Sequence, residues 1–200
     1  FKNGFVENAT FIANTAVQHG GAIYVGGPIS DCRFNATFID NAAYRGGAIF
    51  FNNETDNVII NGYFEGNRAE RIGGALCFQA KASNNIISAE FYNNRAIGAS
   101  GGAIFFRNAA EGNQFESIFT GNNAHQGGAI FFYNKANNNK FNCSFSSNVA
   151  NISGGAIVFF GTTDGNNFTG SFVNNSALGH DPDIDTNGNG GAITFTDVSS

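Results

Sequence analysis

The chain has 200 residues, a formal net charge of −5 and only 12% charged residues. It carries no basic stripe, which excludes nucleic acid as an expected partner, and no apolar run comes near the ~18 residues of a membrane-spanning helix. Polarity comes instead from 31 Asn and 27 Gly, and 23 Phe recurring in register supply enough apolar bulk to exclude low-complexity disorder.

The first predicted unit reads Phe11-x-x-Asn14-x-Ala16, then, after a short gap, Gly20-Gly21-Ala22-Ile23. The pattern returns from Phe38, Phe64, Phe91, Phe119, Phe145 and Phe172, each time followed by a Gly-Gly-Ala-Ile or Gly-Gly-Ala-Leu. Self-similarity at a period of about 27 residues predicts a solenoid. After each Gly-Gly-Ala the apolar residues stand two apart, from Ile23 and Val25 in the first unit to Ile193 and Phe195 in the last. A spacing of two predicts a strand. A second predicted strand ends on the repeat Phe and reads large-small-large, as in Phe34-Ala36-Phe38 and Phe141-Cys143-Phe145. The first unit departs, with Glu7 at the leading large position. A third short extended stretch is expected between these two strands, and no window shows helical spacing.

Two or three short strands per coil cannot each bury a face alone, so they are expected to stack. The predicted fold is all-β, a right-handed parallel β-helix of about seven coils of ~27 residues, roughly 34 Å long at about 4.8 Å per rung. Residues 1–200 read as a single β-helix repeat domain. The chain starts and stops inside the pattern, as a fragment of a longer array would.

The Asn of each Phe-x-x-Asn (Asn14, Asn41, Asn67, Asn94, Asn122, Asn148 and Asn175) is expected at a corner. Stacked there, these side chains can pass amide hydrogen bonds along the axis, and Asn tolerates a left-handed backbone. Asn85, Asn113, Asn139 and Asn166 predict a second, partial ladder. Gly-Gly supplies another corner, where a Cβ would collide or strain φ.

From the Ile or Leu of Gly-Gly-Ala to the next Phe is 15 residues in all six cases, whereas Phe to the next Gly-Gly varies from 8 to 18. Length variation is therefore confined to one turn, and in solenoids such a turn is often on the binding face. It carries Gln18, His19, Tyr44, Arg45, Glu70, Arg71, His125 and Gln126.

Phe-x-x-Asn alternating with Gly-Gly-Ala-Ile/Leu resembles the double signature of the chlamydial polymorphic outer membrane protein repeats, and is similar to adhesin-like surface proteins of methanogenic archaea. The likeness runs from Phe11 to Phe195. It implies a surface-displayed right-handed β-helix, often an adhesin or autotransporter passenger, although this chain shows no autotransporter barrel.

Three constellations are candidate sites. If the Ile and Phe of the Gly-Gly-Ala strand point inward, the residue between them points out, giving the column Tyr24, Phe50, Cys77, Phe105, Phe131, Val158 and Thr194. An exposed aromatic stripe on Tyr24, Phe50, Phe105 and Phe131 predicts a ligand or partner surface. In the last coil, Asp183-x-Asp185-x-Asn187-Gly188 matches the opening of an oxygen-ligand calcium loop that begins at Asp183, with Asp181 just before it as a further candidate ligand. The closing Glu is absent, since Thr194 stands at that position. Asn53 and Asn151 sit in Asn-x-Ser/Thr sequons expected in turns, the foremost glycosylation candidates. Cys32, Cys77 and Cys143 fall at unlike repeat positions, so no disulfide is expected among them.

Acids on predicted strands (Glu65, Glu90, Glu116) fall at unlike columns or in separate coils, and no nucleophile triad or phosphate loop appears. The expectation is a non-enzymatic, cell-surface or extracellular, adhesin-like module, with calcium as the possible cofactor. Its partners would be proteins or glycans on cells, or further copies stacked along the axis. A structural stalk or filament subunit is the stronger alternative, and a polysaccharide-acting enzyme the weaker one.

Overall fold

The structure is a computed structural model that describes residues 2–179 and 188–196. The described residues form an all-β parallel solenoid with no helix among them. Each full coil contributes four strands, not two or three. In the second coil these are Arg33–Ile39, Ala42–Arg45, Ile49–Phe51 and Thr55–Asp56. We call the sheets they build the Phe sheet, the turn sheet, the Gly sheet and the bridge sheet. The Phe and Gly sheets have seven rungs each and the other two have six, counting the split strand of coil five once.

Stacking of like on like holds the rod together. Phe11, Phe38, Phe64, Phe91, Phe119, Phe145 and Phe172 form one column, with neighbouring ring centroids 4.7–4.9 Å apart and planes within 12°. Phe51, Phe78, Phe106, Phe132, Phe159 and Phe195 form a second, at 4.6–5.1 Å. Phe115, Phe141 and Phe168 stack at 4.6 Å and meet the second column edge-on. The strand spacing sets the ring spacing, and edge-to-face contacts between columns fill the interior.

The first-unit exception resolves through a bulge. Asn8, at φ 53°, is an extra residue between Glu7 and Ala9 in the pairing with Arg33–Ile39. That shift sets Val6 opposite Phe34 and packs it on the core. Counting back from Phe11 places Glu7 there; the bulge turns it out.

Both Asn ladders form. Asn94 is representative: its Nδ2 donates to Phe64 O (2.9 Å) and to Asn122 Oδ1 (3.0 Å). Its Oδ1 accepts from both the backbone N and the Nδ2 of Asn67, each at 3.0 Å. All four bonds of a buried primary amide are thus satisfied. The second ladder runs Asn85, Asn113, Asn139, Asn166 in the same way. The left-handed backbone, however, belongs to the residue before each ladder Asn: Ala13, Asp40, Gly66, Asn93, Gly121, Ser147 and Asn174. The ladder Asn is chosen for its amide, and its predecessor makes the corner.

The two glycines of each pair differ in role. Gly73, at φ +64°, needs freedom from Cβ strain, whereas a Cβ on Gly74 would lie 1.9 Å from Gly102 O in the next coil.

Candidate functional site

The predicted aromatic stripe lies outside the main core, as expected, but it is not open. Phe50, Phe105 and Phe131 are 1%, 4% and 2% exposed, so the expectation of an accessible surface on these residues is corrected. With Ile72, Cys77 and Val158 they form a second small core, covered further by Ala99 and Phe160. The cover comes from residues just before a Gly-Gly (His19, Ile72 and Ala99) and just after a Gly-sheet strand (Tyr133 and Phe160). His19 packs on Phe50 with centroids 4.4 Å apart, and Tyr133 leans over Phe105 and Phe131. Only Tyr24 of the four named residues is exposed, at 52%, and Tyr133 joins it as an exposed aromatic on this side. Burial lowers the His19 pKa, with the nearby Arg45 charge adding to the effect.

In four coils the turn before Gly-Gly is partly strand, not loop: Ala42–Arg45, Arg68–Ile72, Asn123–Gln126 and Val149–Ser153 pair in the turn sheet. Asn151 lies in the last of these and is half-buried, which corrects its placement in an exposed turn. Asn53 is exposed in a bend, with its Nδ2 donating to Gly26 O at 2.7 Å. Asp181, Asp183, Asp185 and Asn187 lie outside the described residues, and no group of three or more His, Cys, Asp or Glu gathers among those described. Cys32, Cys77 and Cys143 are all buried; burial pushes the Cys143 thiol up to about 12 and the Cys77 thiol up further.

A groove that sequence reasoning did not find lies on the Phe sheet. It has a volume of about 700 Å³ and crosses the outer side of the Phe sheet from the first coil to the fifth. Its floor follows the small column of the large-small-large strands: Ala9, Ala36, Gly62 and Ala89. Ala36 and Ala89 turn their side chains into the core, so backbone forms the floor and the outward residues between them form the walls. Asn35, Thr37, Tyr63, Ser88, Glu90 and Glu116 line those walls, with no Lys or Arg in the lining.

At one wall two tyrosines and two glutamates interlock. Tyr63 opposes Glu90 and Glu65 opposes Tyr92 on adjacent rungs. The Tyr63 hydroxyl donates to Glu65 Oε2 at 2.9 Å and that of Tyr92 to Glu90 Oε2 at 3.0 Å. These bonds raise both phenol pKa values, because ionised phenols would face carboxylates. The rings lie 5.4 Å apart.

In the fifth coil the long strand splits into Gln114–Phe115 and Ile118–Thr120. Ser117 Oγ fills the gap, donating to Ile87 O at 2.7 Å and accepting from Ala89 N at 3.1 Å. Glu116 is thereby left exposed on the groove, one rung beyond Glu90 and two residues before its partner Ile118. The groove thus carries polar hydrogen-bonding groups, one aromatic ring (Tyr63) and two carboxylates (Glu90 and Glu116).

The Chlamydia polymorphic membrane protein repeat family matches residues 142–159, a stretch holding Phe145, Asn148, Ala150 and Gly154-Gly155-Ala156-Ile157. No curated protein and no solved structure matches the chain. No helix among the described residues is long and apolar enough to cross a membrane.

Proposed function

We propose that this chain is a non-catalytic, adhesin-like module displayed on a cell surface, and that it contacts proteins or glycans of neighbouring cells through the Phe-sheet groove. The observation that carries this reading is the groove itself: five coils long, polar, free of Lys and Arg, and open to solvent. Extended, shallow and hydrogen-bonding, it suits a long polar ligand better than an enclosed small molecule. The match to a polymorphic membrane protein repeat over residues 142–159 supports the location.

The test is binding of fluorescent chain to intact cells, with and without prior protease or glycosidase treatment. Thr37→Arg/Ser88→Arg fills the groove from two outward positions without touching either core. Binding that is saturable, lost on one of the two treatments and lost in the double variant supports the reading; binding unchanged in the variant overturns it. Glu90 and Glu116 on one groove favour a second reading, a polysaccharide-acting enzyme. Shortening of a polysaccharide by wild type and not by Glu90→Gln or Glu116→Gln would select it.

A further inference from the structure

The turn sheet carries a concentration of positive charge that the rest of the chain does not explain. The protein has 15 acidic residues and 10 Lys or Arg. Yet the turn strands Ala42–Arg45, Arg68–Ile72 and Arg95–Ala96 hold four arginines and a single acid, Glu70. Arg68, Arg71 and Arg95 are exposed and Arg45 is half-buried.

Arg68 and Arg95 are direct partners on neighbouring rungs, with Ala69 and Ala96 buried beside them, so both guanidiniums leave on the solvent side. Like charges placed directly opposite in a sheet repel. The strand does not need Arg at this position: in other coils it is Ala42, Asn123, Val149 or Ser176. Arg68 is met by Glu70 at 3.0 Å, but both side chains are half-exposed and such a pair contributes little. Arg71 and Arg95 make no salt bridge among the described residues. Elsewhere Lys2 and Arg33 each meet a carboxylate, and Lys81 and Lys135 share Glu111. Tyr44, 41% exposed, offers a flat ring beside the patch, with the Arg45 guanidinium 5.6 Å from its centroid.

We propose that this face binds a linear anionic polysaccharide, one bearing carboxylate or sulfate groups along its length. The planar fork of Arg meets either anion bidentately, and Arg68 and Arg95 present two forks on adjacent rungs about 4.8 Å apart. The positive charge is a small patch confined to three turn strands of an acidic protein, which suits a single extended chain and not the broad phosphate surface of a nucleic acid duplex. Anions gain nothing from the Phe-sheet groove, whose charged lining is carboxylate, so this proposal and the groove reading stand or fall separately.

The experiment is calorimetric titration of the full chain with heparin, polygalacturonate and poly-glutamate at low and physiological salt. Wild type is compared with Arg68→Ala/Arg95→Ala and with Arg33→Ala as a cation control on the Phe sheet. Binding of heparin or polygalacturonate supports the proposal, and which of the two binds identifies sulfate or carboxylate. The double variant should lose on the order of tenfold in affinity and most of its salt dependence, while Arg33→Ala keeps both. Its thermal midpoint should not fall, because the change removes a repulsion. No binding of either polysaccharide, equal binding by the double variant, or tighter binding of poly-glutamate would overturn it.

Discussion

Removing one rung of the central Asn ladder should cost far more than removing an end rung. Asn94→Ala deletes four hydrogen bonds at a fully buried site. It leaves the backbone N–H of Asn67 and one amide hydrogen of Asn67 without their acceptor, both away from water. It also takes from Phe64 O the donor that Asn94 supplied. A buried group left unsatisfied costs about 1–3 kcal/mol, so the two orphaned donors alone give roughly 2–6 kcal/mol. That is a large part of the ~5–15 kcal/mol by which a typical domain is stable. Asn14→Ala removes only the Nδ2 donation to Asn41 Oδ1, at an exposed site where water replaces it, and keeps the backbone N–H donation to the same oxygen, so it should cost under about 1 kcal/mol. Circular dichroism during urea unfolding measures both. Because repeat arrays can lose cooperativity, the slopes should be compared before the midpoints. Equal losses for Asn14→Ala and Asn94→Ala, or a loss under about 1 kcal/mol for Asn94→Ala, would refute the ladder as a stabilising spine.

Phe105→Ala should cost about 3–5 kcal/mol, as a core truncation does; a near-zero cost in urea unfolding would restore it to the surface. Gly74→Ala should destabilise strongly through collision with Gly102 O, whereas Gly27→Ala, with open space around it, should leave the thermal midpoint unchanged or slightly raised. The Cys77 and Cys143 thiols should resist a thiol reagent at pH 8 in the folded protein and react on unfolding, since burial raises both pKa values; fast reaction while folded would contradict their packing. Calcium should raise the thermal midpoint of wild type and not of Asp183→Ala if the Asp181–Asn187 sequence binds it; no rise in wild type would retire that site.

The parts of this molecule legible in its sequence are those with invariant spacing. The fixed 15 residues from Ile49 to Phe64, or from Ile130 to Phe145, force identical stacking, so the Phe columns and both Asn ladders follow directly. What was not legible depends on irregular segments or on shape. Phe105 and Phe131 alternate outward as predicted, yet residues outside the strict repeat, Ala99, Tyr133 and Phe160, fold over them. A one-residue bulge at Asn8 exchanged Glu7 for Val6. Asn151 was taken into a strand by pairing within the turn sheet. The groove is a matter of shape: the small column of Ala36, Gly62 and Ala89 was visible as part of a pattern, but not that a concavity would run along its outer side.

The five tyrosines allow one direct measurement of which face makes contact. Tyr63 lines the groove with Tyr92 against it, Tyr44 is on the turn sheet, and Tyr24 and Tyr133 are on the Gly-sheet side. Hydroxyl-radical footprinting of the chain bound to cells, read residue by residue by mass spectrometry, should show protection of Tyr63 and Tyr92 with Tyr24 and Tyr133 still oxidised as in the free protein. Protection of Tyr24 and Tyr133 while Tyr63 and Tyr92 stay reactive would contradict the groove as the contact surface.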